Sequence, residues 1–202
     1  MKKFISTKNE TVRLFKNPVL EYFSHIHPVI PLIFYFPVVI ISIYIGTKDK
    51  VLLFVVLSFF IGVFIWTLLE YLIHRFVFHY HPKSEKGKKI SFLIHGVHHS
   101  YPRDRTRLVM PLPVSIPLAI IFYFLFKIIF GEYHYTYFAG LVFGYLCYDY
   151  IHYATHHFPM KRGIGKFLKV YHLKHHFRNE NKSFGVSSPL WDYVFGTTPE
   201  RE

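Results

Sequence analysis

Three long runs without a charged side chain, residues 28–46, 51–69 and 111–126, set the first constraint on what this chain can become. A helix needs about 20 predominantly apolar residues to cross the hydrocarbon of a bilayer, and in lipid every backbone polar group must be satisfied within such a segment. The first two runs meet that length, and the third meets it by continuing past Lys127. A fourth run, 133–148, is shorter and spans only by borrowing Asp149 and its neighbours or by pairing closely with the third. The expected fold is all-α and integral to the membrane, a single unit over 1–202 with four transmembrane helices at about 28–46, 51–73, 111–130 and 133–152. Two membrane hairpins would be joined by a connection, 74–110, and followed by a tail, 157–202. The tail has helical character over 165–177, turn-rich sequence over 179–189 and an aromatic stretch over 190–195, so it is expected to fold back as a helical cap.

Charge placement orients this plan. Of the 24 Lys and Arg residues, 21 fall in 1–27, 74–110 and 157–202, whereas the loop between the first two runs holds only Lys48 and Lys50. The positive-inside rule puts both termini and the connection in the cytosol. The net charge of +12 then points to anionic lipid headgroups as its partner, not to nucleic acid. The first apolar run starts at residue 28, lacks a small-residue cleavage pattern and precedes further spans, so it reads as a retained helix and not a secretory signal. Cys147 is the one cysteine, which excludes an intramolecular disulfide and a cysteine-rich metal site.

Histidine must carry any metal chemistry. Ten of the 15 histidines form four groups: His74 with His79; His95, His98 and His99; His152 with His156; and His172, His175 and His176. All lie at the predicted cytosolic boundary. Residues three or four apart share a helix face, so each His-x-x-His-His box is expected to converge on one region, as is the pair His152 and His156. His74 and His79 are five apart, about 140° around an ideal helix, and would serve different metals unless the helix is distorted. Ten imidazoles exceed what one ion takes, whereas two ions with five each leave an open position in an octahedral shell. A structural zinc site closes with four ligands, so the count favours two metals with room for dioxygen. Imidazole suits zinc, copper, nickel or iron alike. Glu70, Asp104, Asp149 and Asp192 are the nearest carboxylates, and Asp149 and Asp192 are expected to accept the remaining N–H of ligating imidazoles. His25, His27, His81, His134 and His157 fall outside the repeated spacings and read as interface residues.

The stretches LEYLIHRFVFH (69–79), HGVHHSYP (95–102), RLVMPLP (107–113), DYIHYATH (149–156), HLKHHF (172–177) and SFGVSSPLWDYVFGTTP (183–199) resemble the fatty acid hydroxylase superfamily, in its fatty acid 2-hydroxylase branch. The resemblance implies a four-span membrane monooxygenase with a cytosolic cap. It implies two iron ions, replaceable by zinc, on the ten grouped histidines, with dioxygen as co-substrate. It also implies hydroxylation of the carbon beside the carbonyl of a lipid acyl chain, free or within a sphingolipid. Eukaryotic members often carry an N-terminal cytochrome b5 domain, and only 27 residues precede the first run here; the expected electron source is a separate cytochrome b5-like or ferredoxin-like protein. A bacterial inner membrane is the favoured location, with the endoplasmic reticulum as the alternative. Two other readings compete: a carotenoid or sterol hydroxylase or desaturase of the same superfamily, and a non-catalytic metal-binding membrane protein. The second would need polar side chains along an ion path, and the spans offer few, mainly Ser42, Ser58, Thr67 and Ser115.

Overall fold

In the computed structural model, which describes residues 4–6 and 8–200, every regular element among the described residues is helical. Asn17 opens α1 (Pro18–Phe23) by accepting from the amides of Val19 and Leu20, with Pro18 in the first turn. α2 (Val29–Gly46) and α3 (Leu52–Leu72) follow, and α3 runs directly into a π-helical turn, Ile73–Phe78. The connection holds α4 (Glu85–Ser91), a second π-helical segment, Phe92–Gly96, and α5 (Val97–Ser100). α6 (Leu112–Phe130) and α7 (His134–His157) come next, then α8 (Gly163–Phe177) and α9 (Leu190–Val194) in the tail.

Three continuous helical segments, Val29–Thr47, Leu52–Phe78 and Leu112–His157, are long and apolar enough to cross a membrane. The last is 46 residues long. It reverses at Gly131, where φ is +56°, and brings Tyr123 of α6 against Phe138 of α7 at 5.3 Å between ring centroids. α7 is the central helix, packed on α2, α3 and α6. That position explains its modest apolar run: a helix sheathed by three others does not have to present an oily face to lipid. It also extends to His157, five residues beyond the end expected for the fourth helix.

Glycines set how closely α3 and α7 approach. A Cβ on Gly140 would lie 1.9 Å from the carbonyl oxygen of Phe59, and one on Gly62 would lie 2.1 Å from that of Tyr137. Small residues of this kind let membrane helices touch backbone to backbone. The few hydroxyls in the spans tie helices together: Ser58 donates to Thr136 (2.6 Å), Tyr35 to Ser115 (2.9 Å), and the indole of Trp191 in the tail to Thr67 (3.0 Å). Three of the four hydroxyls an ion path would need are engaged in this way, and Ser42 is buried. Large apolar side chains, among them Ile33, Phe36, Phe60, Phe124 and Ile128, face outward along α2, α3 and α6, as lipid-facing surfaces do.

α3 and α7 end, and α2 and α6 begin, at one common end, where Tyr150 donates to the carbonyl of Pro28 (2.5 Å). The N-terminal segment lies across that end. The Ser6 amide donates to the Ser100 carbonyl (2.8 Å) and the Ile26 amide to that of Thr106 (2.9 Å). Arg107, almost fully buried, holds the carbonyls of Ser24 and Val12 and the carboxylate of Glu21. The N-terminal segment, the connection and the tail together form one layer over the helix ends, and all ten grouped histidines lie in or beneath it.

Candidate metal centre

The π-helical turn decides the first pair. In place of the i→i−4 bond of an α-helix, the His79 amide donates to the His74 carbonyl five residues back (3.1 Å). The widened turn accommodates the extra residue, and the His74 and His79 rings come within 5.0 Å. The two therefore belong to one cluster, not to different ones: the distortion that an ideal helix would require is present.

The two His-x-x-His-His boxes are divided, contrary to the expectation that each converges on one region. His74, His79, His95, His99 and His175 form one cluster, and His98, His152, His156, His172 and His176 the other; within each, the ligand-capable nitrogens all lie within 4.8 Å of one another. Helical phase gives the reason. Positions i and i+4 differ by about 40° and i+3 falls about 60° to the other side, so the second and third histidines of a box diverge by about 100°. Ring centroids of His95 and His99 are 4.7 Å apart and those of His172 and His176 are 4.6 Å apart. Adjacent His98 and His99 stand at 5.8 Å, and His175 and His176 at 5.7 Å. Each box thus keeps its i, i+4 pair and lends its middle histidine to the other cluster, and the clusters meet where His99 stacks on His176 at 4.1 Å.

Within the first cluster the Nε2 atoms of His74 and His95, of His95 and His99, and of His175 and His79 are 3.2, 3.0 and 2.9 Å apart. In the second, His152–His98, His98–His176 and His156–His172 are separated by 2.9, 3.0 and 2.9 Å. Nitrogens on adjacent corners of an octahedron with metal–nitrogen bonds of ~2.1 Å lie about 3.0 Å apart, against about 3.4 Å for a tetrahedron. The spacings fit two six-coordinate ions, each with five imidazoles and one position left over. Burial, and secondarily the neighbouring imidazoles, hold His95, His98, His172 and His176 well below the usual histidine range. These side chains are neutral at pH 7, the form that binds a metal.

Asp149 and Asp192, the expected carboxylate partners, take hydrogen bonds from backbone amides and a hydroxyl. Asp149 lines a cleft beside the second cluster and receives the Met110 amide at 3.4 Å. Asp192 accepts from the amides of Phe184 (2.9 Å) and Gly185 (2.8 Å) and from the Thr197 hydroxyl (2.7 Å). Glu70 accepts from the amides of Val186 (2.6 Å) and Ser187 (2.8 Å) and from the Ser187 hydroxyl; Arg75, its nearest cation in sequence, donates instead to the Tyr71 hydroxyl (2.7 Å). Asp104 accepts from Thr11 and Thr106 and faces Arg107. Backbone carbonyls occupy the place assigned to carboxylates: Nδ1 of His74 donates to Phe184 (2.5 Å) and Nδ1 of His175 to Lys182 (2.7 Å). No side-chain motif could have announced them. His134 and His157 stay outside both clusters, the first bonded to the Gly131 carbonyl and the second against the Tyr153 ring.

A cleft of about 380 Å³ is lined by His95 of the first cluster and His98 and His152 of the second, with Ser24, Arg107 and Asp149 as its other polar lining. Phe78, Val97, Leu108, Val109, Met110 and Val114 form its apolar walls, and Leu14, Phe15, Leu20 and Phe23 of the N-terminal segment close one side. The composition of these walls suits a hydrocarbon chain with one end presented to the histidines.

Comparison with known proteins agrees with this geometry. The sequence model of the fatty acid hydroxylase family matches residues 59–197. The dihydroceramide fatty acyl 2-hydroxylase FAH1 of Arabidopsis thaliana is 47% identical over 139 residues, covering 68% of this chain and 59% of the plant protein. The ceramide very long chain fatty acid hydroxylase SCS7 of Saccharomyces cerevisiae is 43% identical over 80% of this chain and 43% of its own length. The human fatty acid 2-hydroxylase is 45% identical over 71% of this chain and 40% of its own length. A solved structure described as full-length scs7p, with only the hydroxylase domain visible, superposes with a TM-score of 0.86 at 39% identity, covering 92% of this chain and 71% of that one. The chain therefore spans about three-fifths or less of the curated relatives it matches.

Proposed function

Since the chain belongs to the fatty acid hydroxylase family, we propose that it inserts one oxygen atom of dioxygen at the carbon next to the carbonyl of a lipid acyl chain. The observation that carries this reading is the junction of two five-histidine clusters with one largely apolar cleft, which His95, His98 and His152 all line. By the names of the relatives, which act on dihydroceramide or ceramide, the substrate is an acyl chain in amide linkage within a sphingolipid. Two iron ions, held by the ten histidines, would supply dioxygen activation. The balance is C–H plus dioxygen, two electrons and two protons, giving C–OH and water, with the electrons delivered by a donor protein.

The chain's own residues do the rest. The imidazoles of His95, His98, His172 and His176 stay neutral through burial and are ready to bind cations without releasing protons. The walls from Phe78 to Val114 take the hydrocarbon out of water and fix the carbonyl end against the histidines, which is the entropic part of catalysis. Exclusion of bulk water by the layer formed from the N-terminal segment, connection and tail limits loss of oxidising equivalents before the C–H bond is met. We place four crossings along α2, α3, α6 and α7, with the histidine end toward the cytosol. The relatives compared above are plant, yeast and mammalian, so a bacterial inner membrane gains no support from them.

The test is expression in a host lacking 2-hydroxy lipids, with a compatible reductase system, followed by mass spectrometry of hydrolysed lipids. A product one oxygen heavier, with the hydroxyl at carbon 2, is expected, and His98→Ala and His175→Ala should each abolish it while leaving membrane insertion intact. Product persisting in either variant overturns the site; a hydroxylated sterol or carotenoid in place of the acyl product overturns the substrate class.

A further inference from the structure

The two clusters differ in what stands behind them. In the loop of residues 182–187, four consecutive amides are held by two buried carboxylates: Phe184 and Gly185 by Asp192, Val186 and Ser187 by Glu70. Both carboxylates are at most 3% exposed. Carbonyls of the same loop face the first cluster and fix His74 and His175 through Nδ1. Since a carbonyl can only accept, these two rings must carry their proton on Nδ1 and present the Nε2 lone pair inward. The loop leaves little room to shift: a Cβ on Gly185 would lie 2.0 Å from the Ser188 carbonyl oxygen, and the Ser183 amide is tied to the Thr197 carbonyl (2.7 Å). Two of the five rings of the first cluster are held in this way, whereas in the second Nδ1 of His98, His152, His172 and His176 has no protein hydrogen-bond partner among the described residues.

We propose that the centre is unequal by construction. The cluster of His74, His79, His95, His99 and His175 is the tight site, two of its rings, His74 and His175, being oriented by Asp192 and Glu70 acting through the 182–187 loop. The cluster of His98, His152, His156, His172 and His176 holds its ion more loosely, fills last and empties first. Asp192 and Glu70 are positioning residues, since neither reaches a metal ligand. Partners at this remove typically change metal affinity by about 10- to 100-fold. The inference rests on the reading that both clusters bind metal.

Zinc, which is redox-silent, is the probe. The full chain in detergent is loaded with zinc, challenged with excess chelator, and followed by zinc release and residual metal per protein. Wild type should release two ions in two phases. His156→Ala should lack the fast phase and His175→Ala the slow one. Asp192→Asn and Glu70→Gln should each accelerate the slow phase about 10- to 100-fold and leave the fast phase unchanged, with helical content by circular dichroism as in wild type. If Asp192→Asn fails to fold, Thr197→Val, which removes one donor to Asp192, should give a smaller acceleration of the same phase. A single phase in wild type, or carboxylate variants that alter the fast phase alone or neither phase, overturns the proposal. Wild type that takes up no zinc overturns the metal reading itself.

Discussion

A histidine in a buried cluster has two competing ligands, the proton and the metal, and burial tilts that competition. In the metal-stripped protein His95, His98, His172 and His176 resist protonation because burial disfavours the charged ring, with neighbouring imidazoles adding to it. Unfolded, each titrates near pH 6.5. Below that value the unfolded chain binds protons that the folded chain does not, so stability falls with falling pH, by up to about 1.4 kcal/mol per histidine per pH unit. The metal-stripped protein should accordingly melt at a lower temperature at pH 5 than at pH 7.5, and zinc should shrink the difference at equal protein concentration; a pH-independent midpoint would contradict it. At this scale the ten clustered histidines were legible from spacing and count alone. Their division between the clusters was not, because residues that share a helix face need not share an ion: i+3 and i+4 diverge enough to serve two. The carbonyls of Phe184 and Lys182 were illegible because a backbone acceptor leaves no trace in residue type.

Among the elements, the π turn at Ile73–Phe78 is the informative one. Two of the histidine pairs, His152 and His156, His172 and His176, stand four apart within α-helices, and His95 and His99 stand four apart where the second π-helical segment runs into α5; His74 and His79 make the same kind of pair with one residue added. The π turn absorbs that addition. Deleting Val77, which is half exposed, should therefore return the turn to α-helix with the pair at i, i+4, and the variant should still bind two zinc ions per chain. Inserting an alanine after Val77 exceeds what one widened turn absorbs and should reduce zinc to about one ion. Metal analysis of the two variants checks this, and loss in the deletion as well would mean that the π geometry itself is required. The apolar runs located α2, α3 and α6 within a residue or two, because charge-free length is a direct imprint of lipid. α7 outruns its apolar stretch for the opposite reason: its surroundings are other helices, so Tyr, Thr and His take the place of Leu and Ile along it.

For the whole molecule the governing fact is that one end carries nearly everything polar. The N-terminal segment, the connection and the tail share the end where α3 and α7 finish, and those three stretches hold 18 of the 21 Lys and Arg residues that the structure describes. The opposite end offers only the short turns around residues 47–51 and 131–133, with Lys50 set over the Tyr133 ring at 4.2 Å. Moving the basic end across a bilayer would expose those charges to the hydrocarbon and reverse the bias that fixes orientation during insertion. The cleft has the same polarity: its histidine end lies at the layer over the helix ends, while Met110 and Val114 lead toward α6. Under the proposed function an acyl chain would lie along the membrane helices with its carbonyl at the level of the headgroups, and electrons would arrive from the side where the basic surface lies. Tags placed at either terminus should therefore be protected from protease in sealed vesicles of cytosol-inside orientation and cleaved once detergent is added. A tag engineered between Thr47 and Lys50 should show the reverse, with cleavage before detergent. Early cleavage of a terminal tag would move the histidine end, and with it the point of electron entry, to the other face of the membrane.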